Sequence, residues 1–263
     1  MMNINIIKIG GSVLTGKHDA PSYDFKNTLR IAHELSTNFK ECILVHGTGS
    51  YGKPPAIKYG YYENGIIDKN KKMIALEIKH SLRQLNHLVV QSLLDARIPA
   101  ISFNIDHFIR QDTHQIEIKD LKNSILELLN KEILPVAYGD LISIANGSYQ
   151  VFSSDQIVLE LAKIIRPKSV FFLSNVDGVF LKGDGIHDGF EPYLANTLDE
   201  ENIQQLYQME NDHMDVSGGM RKKAKIALQI SKYCNCCFIG SGYCPNVLID
   251  LLNGKDVKGT YVK

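Results

Sequence analysis

The chain has 263 residues, of which 44% are hydrophobic, and its 29 lysines and arginines are balanced by 29 aspartates and glutamates. This length and apolar content are enough to bury the core of one large α/β domain or of two closely joined lobes. Since the formal net charge is zero, no chain-wide positive field attracts nucleic acid, and an anionic ligand has to be held by local charge. The sequence shows no signal-peptide pattern and no run near the ~20 apolar residues of a membrane span, which predicts a cytoplasmic protein.

The predicted elements alternate along the chain between short β-branched runs and longer amphipathic segments. The predicted strands are Ile4–Ile9, Cys42–His46, Ala100–Phe103, Leu134–Ala137, Ser169–Leu173 and Cys236–Ile239. The predicted helices are Lys26–Phe39, Lys71–Ala96, Ile118–Asn130, Ser154–Ile165 and Met220–Ser231. Two hairpins are predicted at Phe108–Ile116 and Leu141–Phe152. This rhythm predicts an α/β fold with a mostly parallel open sheet, and no linker divides residues 1–263 into independent domains.

The first candidate site follows the first predicted strand, in the sequence Lys8-Ile9-Gly10-Gly11-Ser12. Ligands of open α/β sheets bind where strands end, and paired glycines let backbone N–H groups approach phosphate oxygens. Lys8, and Lys17 six residues after Gly11, would add positive charge there. The alternative is a tight glycine turn beside a solvated lysine, and the segment is neither a Walker A motif nor a GxGxxG fingerprint.

A second glycine-rich segment follows the strand Cys42–His46. Three glycines fall within six residues, which suggests a loop that folds around a small group, and a lysine follows them. A plain surface turn is the alternative. The candidate anion-binding residues of this loop are Gly47, Thr48, Gly49, Gly52 and Lys53.

Two later segments place an aspartate at the boundary of an element. Ser153-Ser154-Asp155 reads as the start of a helix, where the acidic residue could be only a cap or a dipole partner. Ser174 ends a buried strand before Asp177-Gly178, where the aspartate could be only an Asx-turn.

The last candidate site is the turn Ser217-Gly218-Gly219, which leads into a helix that begins with Arg221, Lys222 and Lys223. A basic first turn opposes the helix dipole unless an anion lies nearby, so the pattern indicates phosphate binding at the helix start. A solvated helical face is the alternative reading of this charged run.

In this order, the segments resemble the amino-acid kinase superfamily, and within it the branch of isopentenyl phosphate kinases and fosfomycin kinases. Each motif is weak alone, but six in the family's order span nearly the whole chain. The matching segments are 8–12 with Lys17, 46–52, Tyr138-Gly139-Asp140, 153–155, 174–179 and 215–223.

The resemblance implies an αβα sandwich, usually a homodimer, with an acceptor lobe at about residues 1–165 and a nucleotide lobe at about 166–263. It also implies ATP as donor, with Mg²⁺ held on ATP oxygens and water and no metal site of protein ligands. The residues implied to be catalytic are Lys8, Lys17, Asp155 and Lys223, with Asp155 positioning the lysines. Ser154 is implied to bind the acceptor with the glycine loop, and the residues implied around the nucleotide are Gly10, Gly11, Ser12, Ser174, Asp177, Gly178, Gly218 and Gly219.

One departure from the family pattern concerns the acceptor. In isopentenyl phosphate and fosfomycin kinases the glycine loop ends in a histidine that contacts the acceptor's phosphate or phosphonate, whereas this chain has Lys53. A lysine still binds an oxyanion, but as a fixed cation with no acceptor nitrogen. The leading prediction is an ATP-dependent kinase of a small phosphate- or phosphonate-bearing metabolite. The alternatives are a kinase of a carboxylate or carbamate, and an inactive nucleotide-binding regulatory or storage homologue.

Five cysteines form an odd set without the paired CxxC spacing of a zinc site. Cys234, Cys236 and Cys237 lie in or beside a short apolar run, where thiols usually pack as small buried hydrophobes. The sequence therefore predicts a packing role for them.

Overall fold

The structure is a computed structural model that describes residues 3–16, 21–60, 65–112, 115–118, 120–144, 146–183, 191–206 and 219–263. Its strands, in chain order, are β1 (Asn5–Ile9), β2 (Cys42–His46), β3 (Ile66–Ile67), β4 (Ala100–Ser102), β5 (Ile109–Asp112), β6 (Gln115–Ile118), β7 (Leu134–Tyr138), β8 (Asp140–Ser143), β9 (Tyr149–Phe152), β10 (Ser169–Ser174), β11 (Phe180–Leu181), β12 (Tyr193–Leu194), β13 (Thr197–Leu198), β14 (Cys236–Ser241) and β15 (Thr260–Val262). Its α-helices are α1 (Gly11–Leu14), α2 (Phe25–Leu35), α3 (Gly49–Lys58), α4 (Lys72–Asp95), α5 (Leu121–Asn130), α6 (Ser154–Ile165), α7 (Gly219–Ser231) and α8 (Val247–Leu252). None of the helices in these ranges is long and apolar enough to cross a membrane.

The central sheet has eight strands in the order β13-β15-β14-β10-β1-β2-β7-β4. All its neighbouring strands are parallel except β14 and β15, and β1 lies in the middle, paired with β10 on one side and β2 on the other. This confirms the predicted α/β class with a mostly parallel sheet. The carboxyl ends of β1, β2, β7, β10 and β14 therefore meet at one edge of the sheet.

Each face of the sheet is buried under helices, which explains why its strands read as nearly continuous apolar runs. On β1, Ile6 belongs to the core that includes residues of α5, α6 and α7, whereas Ile7 belongs to the core that includes residues of α2 and α4. Both side chains are fully buried. Burial of such a side chain contributes roughly 1.5–3 kcal/mol, so β1 anchors both layers.

Most predicted boundaries hold to within two residues, and β2 and α6 match theirs at both ends. The hairpins are confirmed as β5–β6 and β8–β9. Two helix boundaries and one loop prediction were wrong. Helix α2 ends at Leu35, because a turn and a short 3₁₀ helix (Phe39–Glu41) lead into β2. Helix α5 begins at Leu121, because Ile118 belongs to β6. The second glycine-rich segment, which was predicted as a loop, forms helix α3 from Gly49 onward.

Candidate active site

The loops that follow β1 and β2 pack backbone against backbone at the carboxyl edge of the sheet. A Cβ on Gly11 would lie 2.2 Å from the Gly49 nitrogen, and a Cβ on Gly47 would lie 2.5 Å from the Gly11 nitrogen. Gly49 also has a φ of +48° and has no room for a Cβ beside Thr15. Only glycine fits at these positions, so the glycines of both segments serve the close approach of the two loops.

This contact gathers backbone donors. The N–H groups of Gly10 and Gly47 are already used, since they donate to Leu173 O at 2.7 Å and to Ile9 O at 2.9 Å. Within the described ranges, the N–H groups of Gly11 and Thr48 have no hydrogen-bond partner. Helices α1 and α3 begin at Gly11 and Gly49, so both direct their N-termini into the same region. Unpaired N–H groups at helix starts are favourable partners for phosphate oxygens.

Lys8 and Asp155 form a buried ion pair beside these loops. Lys8 is only 5% exposed, and its Nζ lies 2.8 Å from Asp155 Oδ1, although that oxygen has no partner in hydrogen-bond geometry. Lys8 lies on the face of β1 covered by α6, which brings Asp155 to it from the second position of the helix. Because this contact is not a well-formed hydrogen bond, the Lys8 ammonium keeps donors that a phosphate oxygen can accept from.

Asp155 does not cap α6. Ser153 Oγ accepts from the Gln156 N–H, and Gln156 Oε1 accepts from the Ser153 N–H, so a complete capping box serves the helix start. The capping alternative therefore applies to Ser153, and the carboxylate of Asp155 serves another purpose. Ser154 is buried, and its nitrogen lies 3.1 Å from where a Cβ on Gly139 would stand.

The electrostatics of Asp155 favour the carboxylate. Burial raises its pKa, but Lys8, then Lys223, and then Lys222 oppose this effect, and the net pKa lies below the usual value. Asp155 is therefore ionised at neutral pH. Because its pKa is lowered, it is a weak proton acceptor and unsuited to act as a general base. The same interactions bring α7 to the site, because Lys222 and Lys223 belong to its first turns.

Lys223 also contacts the end of β10. Its Nζ donates to Ser174 Oγ at 3.3 Å, so α7 and β10 meet near Asp155. Gly219, the first residue of α7, has a φ of +63°, which favours glycine. Lys17 and Gly218 lie outside the described residues. Lys53 lies in α3, where only its backbone is described.

Asp177 and Gly178 have contacts that are structural. Asp177 Oδ2 accepts from Lys258 Nζ at 2.5 Å in an exposed pair. A Cβ on Gly178 would lie 2.6 Å from Thr260 Oγ1, and that buried hydroxyl accepts from the Val179 N–H and donates to the carbonyl of Ala195. Gly178 is therefore required for packing, Asp177 forms a surface ion pair, and their place around the nucleotide stays a prediction.

A buried charge cluster next to the site was missed by the sequence reasoning. Lys79 of α4 donates from Nζ to Asp140 Oδ2 at 2.7 Å, to Asp106 Oδ2 at 2.9 Å and to the carbonyl of Leu141 at 2.6 Å. All three ammonium donors are thereby used. The signal was a lysine on the buried face of α4, between Ile78 and Leu82, because a buried lysine needs acidic partners.

A buried histidine was also missed as a working part of the site. His46 ends β2 and is 1% exposed. Its Nδ1 lies 2.9 Å from Gly47 O, and its Nε2 lies 3.1 Å from Asn86 Nδ2. Its ring stacks on that of Tyr138, with the ring centroids 5.6 Å apart. Burial and, less strongly, the charge of Lys8 lower the pKa of His46 to about 4, against the opposing effect of the bond to Gly47. The ring is therefore neutral at physiological pH.

The described residues contain no group of three or more His, Cys, Asp and Glu side chains arranged to hold a metal ion.

Among the cysteines, Cys234 and Cys237 are buried in the core, as predicted for small apolar side chains, and Cys244 is exposed. The chemistry gathered at the sheet edge is therefore that of lysine ammonium groups, one carboxylate and backbone N–H donors, which suits a polyanionic ligand.

The chain is similar to known kinases in sequence and in fold. The chain is 29% identical to an isopentenyl phosphate kinase of Methanocaldococcus jannaschii, over 98% of each chain, and 29% identical to that of Methanothermobacter thermautotrophicus, again over 98% of each. A solved isopentenyl phosphate kinase structure superposes with a TM-score of 0.79 at 25% identity, covering 98% of this chain and 99% of the other. The sequence model of the Amino acid kinase family matches residues 3–239. The chain therefore belongs to the amino acid kinase family and is a kinase.

Proposed function

We propose that the protein transfers the γ-phosphoryl group of ATP to a small metabolite that already carries a phosphate or phosphonate, with isopentenyl phosphate as the first candidate. The observation that carries the proposal is the buried Lys8–Asp155 pair beside two glycine loops whose N–H groups at Gly11 and Thr48 lack partners in the described ranges. The relatives named isopentenyl phosphate kinase support this choice of acceptor.

The chemistry of such an acceptor fits a site without a general base. An oxygen of the acceptor phosphate is already anionic, so it attacks the γ-phosphorus directly, the bond to the β–γ bridging oxygen breaks, and ADP leaves. Asp155 stays ionised and holds Lys8 in place, and Lys8 neutralises charge on the transferring group. Positioning and charge neutralisation then supply most of the acceleration.

The donor fits the other half of the site. Lys223 and Ser174, already in contact at the end of β10, are the described residues proposed to meet the nucleotide phosphates, and Lys17 and Gly218 are proposed to assist them. When bound, Mg²⁺ would neutralise charge on the ATP oxygens. Gly11 and Ser12 would offer backbone donors between donor and acceptor, whereas Gly10, whose N–H is bonded to Leu173 O, would leave room for the phosphates. We further propose the two-lobe division at about residue 165, a homodimer, and a cytoplasmic location without nucleic-acid or membrane partners.

Lys53 is proposed to hold the acceptor oxyanion in place of the histidine of the related kinases. Lys53 follows Gly52 in α3, and a Cβ on Gly52 would lie 2.6 Å from Thr48 Oγ1, so this helix and the glycine loop share one backbone surface. A fixed cation favours dianionic phosphates and phosphonates over neutral acceptors. The length of the acceptor's apolar tail would be set elsewhere in the pocket.

An assay of ATP consumption with Mg²⁺ tests the proposal against isopentenyl phosphate, other phosphate monoesters, fosfomycin and other phosphonates, amino-acid carboxylates and carbamate. We expect turnover with a phosphate or phosphonate, and loss of that turnover in Lys8→Met. Turnover with carboxylates alone, with an acyl phosphate trapped by hydroxylamine, would replace the acceptor class. ATP binding without transfer to any acceptor would make the chain an inactive regulatory or storage homologue.

A further inference from the structure

The hydrogen-bond geometry around His46 fixes which of its nitrogens carries the proton. The Gly47 carbonyl can only accept, so Nδ1 at 2.9 Å from it must be protonated. In a neutral ring Nε2 then carries a lone pair, which needs a donor, and the amide Nδ2 of Asn86 lies 3.1 Å away. The buried ring is thereby satisfied at both nitrogens without a charge.

The bond to Gly47 also orients the next N–H group. The Gly47 carbonyl and the Thr48 N–H belong to one planar trans peptide unit, so they point in opposite directions. His46 holds the carbonyl toward the protein interior, and the Thr48 N–H is consequently directed away from it, beside Gly11. That N–H has no partner in the described ranges.

We infer that Asn86 and His46 are positioning residues that act in series: Asn86 fixes the tautomer of His46, and His46 fixes the peptide unit that presents the Thr48 N–H to a phosphate oxygen. Neither side chain touches the reacting groups. The inference rests on the proposed function, because the oxygen to be bound is that of the acceptor or of the transferred group. It also explains why a polar asparagine is buried on α4.

The first test is the protonation state of His46 in the wild-type protein, read from ¹⁵N NMR of histidine-labelled protein at about pH 7. We expect a neutral ring protonated on Nδ1. A ring protonated on Nε2 would overturn the inference, because Nδ1 would then face the Gly47 carbonyl with its lone pair. This measurement needs no substrate, so it stands even if the chain proves to transfer no phosphoryl group and the proposed function fails.

The second test uses variants of matched shape. In Asn86→Leu a side chain of the same shape removes the donor to Nε2, so the ring loses the partner that fixes its tautomer, and we expect kcat/KM for the acceptor to fall about tenfold or more. Ser92→Ala is the control, since Ser92 is as deeply buried on α4 as Asn86 and its hydroxyl bonds to Tyr23 instead of to His46. We expect Ser92→Ala to lower stability and leave kcat/KM unchanged.

Two substitutions of His46 separate positioning from packing. The amide of His46→Asn can stand where Nδ1 stands and still donate to Gly47 O, whereas the amide of His46→Gln reaches the position of Nε2. We expect His46→Asn to keep more activity than His46→Gln at comparable thermal stability. Equal losses in both variants, or an Asn86→Leu variant within about twofold of the wild type, would show that the pair only fills space.

Discussion

Lys8 and Asp155 are brought together by elements far apart in the chain: β1 carries the lysine, the first turn of α6 carries the aspartate, and their charged atoms lie 2.8 Å apart. The pair is buried, yet Asp155 Oδ1 lacks a partner in hydrogen-bond geometry. A stability element would be expected to satisfy both groups, so this arrangement is typical of a site that completes its contacts with a ligand.

Asp155→Asn is expected to reduce kcat by about 10²-fold or more while the fold is kept, because the neutral amide no longer holds Lys8 or balances Lys223. Steady-state kinetics and circular dichroism check this. Lys163→Met is the matched control, because it removes an exposed ion pair with Glu160 from the same helix. Turnover near the wild-type rate in Asp155→Asn would exclude the proposed role.

Gly11→Ala is expected to abolish activity and to destabilise the protein, because the added Cβ would meet the Gly49 nitrogen at 2.2 Å and separate the two loops. Gly254→Ala is the control: its Cβ meets nothing within 4 Å, and only its φ of +73° opposes the change, at a cost of about 1–2 kcal/mol. Chemical denaturation and the kinase assay distinguish the two. A fully active Gly11→Ala would contradict the close contact of the loops.

Lys79→Met is expected to destabilise the protein by about 3–5 kcal/mol, since it leaves the carboxylates of Asp106 and Asp140 buried without a cation. Burial already raises the pKa of Asp140, against the opposing effect of Lys79. Urea denaturation measures the loss, with Lys40→Met, from an exposed pair with Glu132, as the control. Adding Asp140→Asn to Lys79→Met should recover part of the stability, and a further loss would contradict this account.

Stability is expected to fall as the pH is lowered through the titration range of His46. Its pKa is about 4 in the folded protein against a usual value of 6.5, so between these values the unfolded state binds the extra proton. The contribution is fully present above about pH 6.5 and is lost at about 1.4 kcal/mol per pH unit down to about pH 4. Two groups face the ring. The charge of Lys8 opposes its protonation, and Tyr138, whose pKa burial raises to about 12, stays neutral over this range.

Denaturation of wild type and His46→Gln at several pH values isolates this contribution. The depressed pKa of Asp155 acts in the same direction in both proteins, at lower pH, and cancels in the difference. We expect the stability gap between the two proteins to narrow as the pH falls from about 7 to about 4. A gap that does not change with pH would mean that His46 is not held neutral.

Lys53→His restores the residue found in isopentenyl phosphate and fosfomycin kinases. We expect this variant to use isopentenyl phosphate or fosfomycin better, relative to the acceptor preferred by the native protein, because a histidine is shorter and can donate or accept. The ratio of kcat/KM values for the two acceptors measures the change. An unaltered acceptor profile would mean that Lys53 lies outside the acceptor pocket.

The elements that the sequence predicts best are those with several agreeing signals. Helix α6 was predicted at both ends because a Ser-x-x-Gln capping box precedes an apolar face of period 3.6. Helix α3 was not predicted, because Gly52, Pro54 and Pro55 are helix-breaking signals that tertiary contacts override here.

The contacts between distant residues were beyond the reach of local patterns. Lys8 and Asp155 were identified as candidates from their motifs, but their direct contact appears only once the sheet is assembled. Lys79 finds its partners 27 and 61 residues away, and no periodicity encodes that pairing. Lys17 and Gly218 stay predictions.

The central position of β1 has a consequence for how the protein is made. The strand that carries Lys8 is synthesised before both of its neighbours, so it can pair with β2 while its other edge stays open until β10 has left the ribosome. Contacts of such long sequence separation slow folding, and an open edge invites pairing with other chains. A nascent chain that stops before β10 would therefore carry half of the phosphate site on an unprotected strand, and the site forms only after β10 and α7 have been synthesised.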